Sequence, residues 1–538
     1  MQITPSERTI EGDLFQAFVK AGAISKANAD DPKKASLVRC ARTDKGVHAA
    51  GNMISLKLIV EEKDIVEKIN SCLSPQIRVW GIERTIGSFS CYQACDSRWY
   101  EYLMPSHAFL PPHHSSWLAK KMEELADETG DRVGYESRQE EVKGFWESVD
   151  KTDIQPILEC IDEDIRWDVV KALQGEDEAS AKAAKADADV EQPASLGRSM
   201  PGAEGASTER SNDVKITEDA TIVINEPTMA KPEDLPTAAE GASLVADVES
   251  SEDTSAAEIE SSLINASQSK SGRTEDTRRA APQLSAEETD RHVRLKAATK
   301  QLRNAYIKAK RRYRIPKQRV DRIQAALSKY VGTCNYHNFT VQKTFRDPSA
   351  KRHIKSFVVN PQPILIGDGS DKDKTEWLSM KVHGQSFMMH QIRKMVGMIT
   401  LLVRCGSDLD TLDASLRDEK FSIPKVPGLG LLLERPVFDS YNTLQAVKHD
   451  RETLRFDKYE KELEEFKQRE IYQRIFREEE EKNEFGRFFN HIDNFKEPYF
   501  LYVTSKGLEA TQGSSRKGGA EMKDLEGSDE EGGGEDGG

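Results

Sequence analysis

Near the start of the chain, apolar residues recur at the spacing of an amphipathic helix. Apolar side chains stand at positions 10, 14, 15, 18 and 19, and Thr9 precedes them as a candidate N-cap. The pattern predicts a helix over residues 9–19 with one buried face.

A different period follows at residues 52–60, where Ile54, Leu56 and Leu58 occupy every second position. Such alternation is typical of a strand with one buried face. The next stretches predict a helix over residues 64–72, a strand at 76–82 and a strand pair within 89–104. Two helices interleaved with strands indicate an α+β unit of the split βαβ kind.

The second half of the chain repeats this arrangement. A basic helix begins near His292 and ends before Pro316. The pattern then predicts a helix over residues 320–330, strands at 356–359 and 377–382, and a helix over 388–404. We therefore predict an α+β fold in which two ferredoxin-like halves, each a split βαβ unit, face each other across a central cleft.

Composition sets the boundaries between segments. Residues 173–290 are rich in Ala, Ser, Glu, Asp and Thr, a composition that cannot bury enough apolar surface to offset chain entropy. From Lys448 to Lys482, mixed charges at helical spacing predict one long exposed helix, with Asp457–Lys461 and Glu465–Arg469 as i,i+4 pairs. The predicted segments are an N-terminal half (1–118), a helical insertion (119–172), a disordered acidic linker (173–290), a C-terminal half (291–445), a long charged helix (446–504) and a disordered acidic tail (505–538).

The net charge of −15 is unevenly distributed. The formal charges of residues 173–290 sum to −16 and those of residues 505–538 to −5, whereas residues 291–330 sum to +13. In that basic stretch the cations are grouped around Tyr306 and Tyr313. A basic stripe with aromatic residues is typical of a nucleic-acid-binding surface, although a solvated surface helix has the same composition.

Cysteine usage and hydropathy narrow the class of protein. Of the seven cysteines only Cys91 and Cys95 are close in sequence, and no zinc-ligand spacing repeats, so we predict no metal site. The odd cysteine count and the absence of a signal peptide favour a reducing intracellular compartment. No apolar run reaches transmembrane length, and we expect no membrane partner.

The candidate chemistry lies in residues 39–49, Arg-Cys-Ala-Arg-Thr-Asp-Lys-Gly-Val-His-Ala. Asp44 stands on a predicted turn just before a strand, and the cations Arg39, Arg42 and Lys45 favour its ionised form. A carboxylate fixed in this way can act as a nucleophile. From spacing alone, however, Asp-Lys-Gly before an alternating run is more typical of an ordinary turn.

The string from Arg42 to Ala49 resembles the catalytic signature of the TruA family of tRNA pseudouridine synthases. The resemblance implies that Asp44 is the catalytic nucleophile. The string from Gly332 to Thr340 is similar to the eukaryotic branch of that family, in which His337 and Asn338 shape the domain.

Three further strings match the family in the expected order. Gly384 to Gly397 resembles its second motif, which implies that Arg393 pairs with the catalytic aspartate. The residue pattern also favours partners for Gln391, Arg393 and Lys394, because these polar residues interrupt an apolar helix. In Ser97-Arg-Trp-Tyr-Glu-Tyr, Tyr100 matches the tyrosine that stacks on the target uracil. Within Pro427 to Glu434, Leu429 matches a leucine that lines the uracil pocket.

The resemblance implies isomerisation of uridine to pseudouridine in tRNA, with no cofactor and no small-molecule co-substrate. Asp44 would attack either the sugar C1′ or the ring C6 of a uridine turned out of its stack, and Arg42 would enter the space that the base leaves. We expect Arg311, Arg312, Arg314 and Lys317 to hold RNA phosphates. The expected substrates include the anticodon stem-loop of tRNA and extend to other structured RNAs, among them spliceosomal RNA and mRNA.

Other interpretations of the same sequence stay open. A catalytically inactive tRNA-binding protein or chaperone would share the fold, and an acidic interaction scaffold would use the linker and the tail. Lys310-Arg-Arg-Tyr-Arg314 resembles a nuclear import signal, so we expect a nuclear protein.

One feature departs from the family pattern. Members begin with a strand just before the residues that match Met1-Gln-Ile, and the present sequence starts after that point. We therefore expect the N-terminal half to have an uncovered sheet edge, which lowers its stability more than it affects its chemistry.

Overall fold

The structure is a computed structural model that describes residues 3, 8–173 and 286–512. Its helices are α1 (Ile10–Lys20), α2 (Ile65–Ser71), α3 (Trp117–Thr129), α4 (Arg132–Ser137), α5 (Phe145–Val149), α6 (Gln155–Glu159), α7 (163–173), α8 (Ala286–Arg311), α9 (Lys317–Ser328), α10 (Gln391–Arg404), α11 (Asp410–Ser415), α12 (Glu460–Phe466), α13 (Gln473–Lys482) and α14 (Glu484–Asn494). Its strands are β1 (Val38–Arg39), β2 (His48–Ala49), β3 (Ile54–Ser55), β4 (Ser97–Pro105), β5 (Gly332–Asn335), β6 (Lys351–Val359), β7 (Ile364–Ile366), β8 (Thr375–Gly384) and β9 (Leu431–Val437). The mixture of helices and sheets confirms the α+β class.

A mixed sheet forms the centre of the molecule, in the order β2-β9-β4-β8-β6-β5, with β7 also paired to β8. Strand β4 comes from the first half of the sequence, yet it lies antiparallel between β8 and β9 from the second half. Strand β2 joins β9 in parallel. Both halves of the sequence therefore share one hydrogen-bonded sheet.

Helix α10 fills the main core against this sheet. Every one of its residues from Gln391 to Arg404 is buried, because the helix packs beside helix α9 and against β4, where the Thr400 hydroxyl lies 3.5 Å from the Met104 sulfur. Its close approach to the following loop requires Gly397, where a Cβ atom would lie 2.4 Å from the carbonyl oxygen of Pro424. Helix α10 therefore has little freedom to move relative to residues 424–426.

The N-terminal region, residues 10–86, is built differently. Helix α1 begins after Thr9 as predicted, with the Thr9 hydroxyl accepting from the Gly12 N–H at 3.1 Å. The strand predicted at residues 52–60 shrinks to the two-residue β3, which pairs with β1, and residues 76–82 form no ladder. Ile54, Leu56 and Leu58 nevertheless pack on the cluster around α1 and α2, so the predicted alternation of faces is correct. Within 89–104, only β4 is a strand.

An open slot separates the two extended segments of this region. Its volume is about 1670 Å³, and it is lined by residues 52–58 on one side, residues 76–87 on another and Phe456, Phe466 and Ile471 from the C-terminal part. In the described part of the chain, no backbone hydrogen bond joins residues 54–60 to residues 77–84.

The insertion predicted at residues 119–172 is helical and packs into the main core through Met122, Trp146 and Val149. Helix α8 crosses it, and the Tyr306 hydroxyl donates to Asp150 at 2.8 Å. Residues 174–285, which contain nearly all of the predicted linker, and residues 513–538 of the predicted tail lie outside the described residues.

The prediction of one long exposed helix from Lys448 to Lys482 is wrong. A continuous helix runs only from Glu460 to Lys482, through a π-helical turn at Lys467–Tyr472, and its apolar face is buried in the main core. The two predicted ion pairs are replaced by others, such as Arg455–Asp457 and Arg469–Glu470. Helix α14 follows, and its Asp493 pairs with the buried Arg404 of α10. The C-terminal segment is therefore part of the core rather than an appendage.

Candidate active site

Asp44 begins a tight turn that the central sheet holds in place. The Val47 N–H donates to the Asp44 carbonyl oxygen at 3.1 Å, and Gly46 takes φ 78°, a conformation that glycine adopts without strain. After the turn, β2 joins β9, and the Ala50 N–H donates to the Leu433 carbonyl oxygen at 2.8 Å. The predicted turn before a strand is therefore present, and it is tied to the second half of the sequence.

Three basic side chains act on the Asp44 carboxylate. His390 Nδ1 lies 3.3 Å from Asp44 Oδ2. A hydrogen bond from His390 lowers the pKa of Asp44 against the effect of burial, and the charges of His390, Arg393 and Lys425 lower that pKa further. The carboxylate is therefore ionised at neutral pH, and about a third of its side chain remains open to solvent.

Arg393 occupies the first turn of helix α10. Its Nε donates to the Val426 carbonyl oxygen at 2.7 Å, and a Cβ atom built on Gly428 would lie 3.5 Å from its guanidinium carbon. The neighbouring polar residues have partners too: Gln391 accepts from the Met388 N–H at 2.9 Å, and the Lys394 ammonium lies 3.5 Å from the Thr340 carbonyl oxygen. The polar interruption of this helix is therefore satisfied, as its sequence led us to expect.

Tyr100 lies in the wall beside the turn. It sits at an irregularity of the β4–β9 ladder, where the register shifts between Trp99 and Tyr100. Its ring meets Phe387 edge to face at a centroid distance of 5.2 Å. Burial raises the pKa of Tyr100 to about 12, and the charge of Asp44 acts in the same direction, so the phenol is neutral. The two groups are thus electrostatically coupled.

Leu429 lies in the 3-10 turn Gly428–Gly430, directly before β9. The Tyr102 hydroxyl donates to the Pro427 carbonyl oxygen at 2.7 Å and holds this turn against β4. At Gly430 a Cβ atom would lie 2.2 Å from the Leu103 carbonyl oxygen, so the close approach requires glycine. Leu429 is buried beside the loop that binds Arg393.

His390, Lys425 and Arg98 are candidate site residues that the sequence analysis did not single out. His390 adopts φ 62° as the residue before helix α10, a conformation that is uncommon outside glycine and asparagine. Arg98 donates to the carbonyl oxygens of Cys40 at 2.9 Å and Gln385 at 3.3 Å, and so joins the two motif loops. The position of His390 within the motif from Gly384 to Gly397 was the one feature of the sequence that could have indicated its place in the site.

The predicted RNA contacts lie in two places. Arg42 is exposed at the entrance to the Asp44 turn. Arg311, Arg312, Arg314 and Lys317 lie around the junction of α8 and α9, where Arg312 pairs with Asp153 and Lys317 with Asp321. Arg314 donates to the backbone oxygens of Asp371 and Lys374, and Arg311 donates to that of Glu480. Tyr306 and Tyr313 point into the protein rather than outward. The Tyr306 hydroxyl donates to Asp150, and the Tyr313 ring packs edge to face on Phe145.

Among the described residues, one group has the spacing of metal ligands: His113, His114 and Asp150. The two imidazole Nε2 atoms lie 3.4 and 3.5 Å from Asp150 Oδ2. However, the Ser115 N–H donates to His113 Nδ1 at 3.2 Å, which places the proton of the neutral ring on Nε2. Burial lowers the pKa of His113 to about 4, so this ring is neutral and its Nε2 has no lone pair for a metal. We interpret the group as a hydrogen-bonded cluster.

The chain is similar to known proteins of one family over most of its length. Residues 326–439, which include Arg393 and Leu429, match the family model described as tRNA pseudouridine synthase. The chain is 38% identical to tRNA pseudouridine synthase 1 of Schizosaccharomyces pombe, over 96% of this chain and 85% of that protein. It is 37% identical to the Yarrowia lipolytica protein of the same name, over 98% of this chain and 79% of the relative. The chain belongs to the tRNA pseudouridine synthase family. A more distant family member, tRNA pseudouridine(27/28) synthase of Saccharomyces cerevisiae, is 27% identical over 93% of this chain.

Proposed function

We propose that the protein isomerises uridine to pseudouridine in tRNA, with Asp44 as the nucleophile. The observation that carries the proposal is the ionised Asp44 carboxylate beside His390, with Arg393 in the helix behind it and Tyr100 in the adjacent wall. The family membership established by the comparisons supports the same reaction.

The reaction begins with a uridine turned out of its stack, which costs a few kcal/mol. Tyr100 supplies a neutral aromatic surface for the base, and Leu429 supplies an apolar wall. Asp44 attacks C1′ or C6, the glycosidic bond breaks, and the uracil turns within the pocket. A bond then forms between C5 and C1′, the bond to Asp44 breaks and restores the carboxylate, the C5 hydrogen leaves as a proton, and N1 takes up a proton.

Arg393 and His390 keep Asp44 ionised and oriented throughout this sequence. Every bond that breaks or forms belongs to the nucleotide or to Asp44, so the step requires no electron acceptor and no group donor. We propose that Arg42, exposed beside the turn, enters the gap that the base leaves in the RNA.

The RNA would lie in a cleft between two ferredoxin-like halves that share the central sheet. Arg42 is at the catalytic end of this path, and the junction of α8 and α9 supplies further cations. Because Arg312 and Lys317 already have carboxylate partners, we expect each to contribute less to phosphate binding than a free cation would. None of the described helices combines the length and the apolar character needed to cross a bilayer.

We also propose that the substrates include the anticodon stem-loop and other structured RNAs, and that the protein works in the nucleus. Residues 310–314 carry the candidate import signal. Replacing Lys310, Arg311 and Arg312 by Gln in a fluorescent fusion should move the protein to the cytoplasm, and unchanged nuclear fluorescence would contradict the localisation.

Tritium release from tRNA labelled at uridine C5 tests the reaction directly. The full chain should release tritium, and Asp44→Asn should reduce release more than about 10⁴-fold, because removal of a catalytic nucleophile has effects of that size or larger. Asp30→Asn is the matched control, since Asp30 pairs with Lys34 on the exposed surface of the same region. If Asp44→Asn retained activity, Asp44 would not be the nucleophile. If the folded wild-type protein released no tritium, the enzymatic function would be refuted.

A further inference from the structure

Three cysteines lie together behind the Asp44 turn. Cys40 and Cys91 are buried and Cys95 is half-buried, in an apolar cluster that also contains Phe438 and Tyr441. The Cys91 thiol donates to the Val38 carbonyl oxygen at 3.2 Å, and the Cys95 thiol lies 3.3 Å from the Ser97 carbonyl oxygen. None of the seven cysteines forms a disulfide.

Within this cluster, Cys40 and Cys95 form a hydrogen-bonded pair with unequal acidity. The hydrogen bond from Cys40 and the charge of Arg98 lower the pKa of Cys95 to about 6. The same hydrogen bond, together with burial, raises the pKa of Cys40. Cys95 is the more accessible partner, and its lowered pKa favours loss of its proton, which are the two properties of a cysteine that reacts with oxidants.

We propose that Cys95 and Cys40 are an oxidation site, at which a peroxide converts the hydrogen-bonded pair into a disulfide that reversibly inactivates the enzyme. The loss of activity rests on the proposed function, whereas formation of the bond does not. Arg98, which joins the two motif loops, donates to the carbonyl oxygen of Cys40, so the chemistry of the pair acts where the site is assembled.

The chemistry balances with hydrogen peroxide as the oxidant. The Cys95 thiolate attacks one peroxide oxygen, the O–O bond breaks, and hydroxide leaves to give Cys95 sulfenic acid. The Cys40 sulfur then attacks the Cys95 sulfur and displaces its oxygen, which leaves as water with the proton of Cys40. Two thiols are oxidised to one disulfide, and one peroxide is reduced to two waters.

Closing this bond must move the Asp44 turn. A disulfide places its sulfurs about 2.05 Å apart, closer than two hydrogen-bonded thiols can lie. Cys40 stands four residues before Asp44, and its N–H donates to the Met53 carbonyl oxygen at 2.8 Å. A displacement of about 1 Å in a reacting group is enough to lower a rate about 10²-fold. We therefore expect inactivation without unfolding.

The test combines mass spectrometry with the tritium assay on the full chain. Hydrogen peroxide at equimolar to tenfold excess should lower the intact mass by about two hydrogens and tritium release by about 10²-fold, and dithiothreitol should restore both. After tryptic digestion without reduction, the peptide Cys40–Arg42 should be linked to the peptide Thr85–Arg98. Because the second peptide contains both Cys91 and Cys95, fragmentation must locate the bond at Cys95.

Three variants make the test specific. Cys95→Ser and Cys40→Ser should each retain activity after peroxide, whereas Cys91→Ser, the matched control from the same cluster, should be inactivated like the wild type. Peroxide treatment that produces no Cys40–Cys95 linkage, a linkage through Cys91, or a linked protein with undiminished activity would each overturn the proposal. Linkage in a protein that was inactive before oxidation would instead count against the proposed function, so the two failures can be told apart.

Discussion

The two regions that meet at Asp44 are held together in different ways. The central region has strands of nine and ten residues in β4, β6 and β8, and its helix α10 is buried along its whole length. The N-terminal region has strands of two residues, its own small cluster around α1 and α2, and an open slot. Few hydrogen bonds and partial burial are marks of a region that opens easily.

The catalytic groups are divided between these regions. Asp44 comes from the N-terminal region, while His390, Arg393 and Leu429 belong to the central one. The groups that lower the pKa of the carboxylate thus belong to the well-packed central region, and the carboxylate itself belongs to the less well-packed N-terminal region. The β2–β9 pairing, the contact of His390 with Asp44 and the hydrogen bond from Arg98 to the Cys40 carbonyl oxygen tie the turn directly to the central region.

The largest effect should come from removing the rigid partner of Asp44. Arg393→Met should lower kcat about 10²–10³-fold, because a preorganised charge beside the nucleophile is lost. KM should change little if Arg393 acts on Asp44 rather than on the RNA. Arg393→Lys keeps the charge without the planar guanidinium and should recover part of the rate. Equal losses of kcat in both variants would show that the positive charge at position 393 does not contribute to the rate.

A matched pair of leucines tests the contrast in stability. Leu378 is fully buried in β8, so Leu378→Ala should destabilise the protein by about 2–5 kcal/mol. Leu56 lines the slot and is partly solvated already, so Leu56→Ala should cost about 1 kcal/mol. Chemical denaturation measures both changes.

Hydrogen exchange should locate these two effects. Leu378→Ala should raise exchange throughout the central sheet, whereas Leu56→Ala should raise it only within residues 10–86. If both variants changed the same amides equally, the two regions would unfold as one unit, and the contrast drawn between them would be wrong.

The sequence predicted features that depend on neighbouring residues. Helix α1 and its Thr9 cap were correct, and so was the alternation of Ile54, Leu56 and Leu58, because periodicity and capping are local. Residues 76–82 have the alternation of a strand, but a ladder requires a distant partner, which the pattern cannot supply. The approach of His390 to Asp44 joins positions 346 residues apart, and spacing along the chain carries no information about it.

The C-terminal helix teaches a different lesson. Its charges suggested an exposed helix, yet Phe466, Ile471, Ile475 and Phe476 recur at helical spacing on one side and enter the core. The helical spacing of these apolar residues indicated a buried face, but the many charged residues between them led us to predict an exposed helix. Lys467 on the same face is buried as well, where it pairs with Glu434 at 3.0 Å.

A substitution of His390 tests the contact between the two regions at Asp44. Asparagine tolerates the positive φ of this position, so His390→Asn should keep the backbone and remove the hydrogen bond to Asp44. Since that bond lowers the pKa of Asp44, the pKa should rise toward or above its usual value of about 3.9. The acid limb of the kcat profile should therefore move to higher pH.

At pH 3, about one unit below the raised pKa, this shift should cost up to about tenfold in kcat, and the loss should disappear by pH 6, where the carboxylate is ionised in both proteins. A pH profile of single-turnover rates measures the change. A loss that is the same at every pH would mean that His390 positions Asp44 without affecting its ionisation.

The smallest effect should come from the turn itself. Gly46 takes φ 78° in open space, so Gly46→Ala meets no neighbouring atom but places a Cβ in an unfavourable conformation, at a cost of about 1 kcal/mol. Because the β2–β9 pairing follows directly after the turn, this strain should open the N-terminal region and lower kcat about fivefold, with the central sheet unaffected. Gly46→Asn, which tolerates positive φ, should behave nearly as wild type. If the alanine and asparagine variants reduced kcat equally, the added side chain would be obstructing the RNA. Backbone strain at Gly46 would then not be the cause of the lower rate.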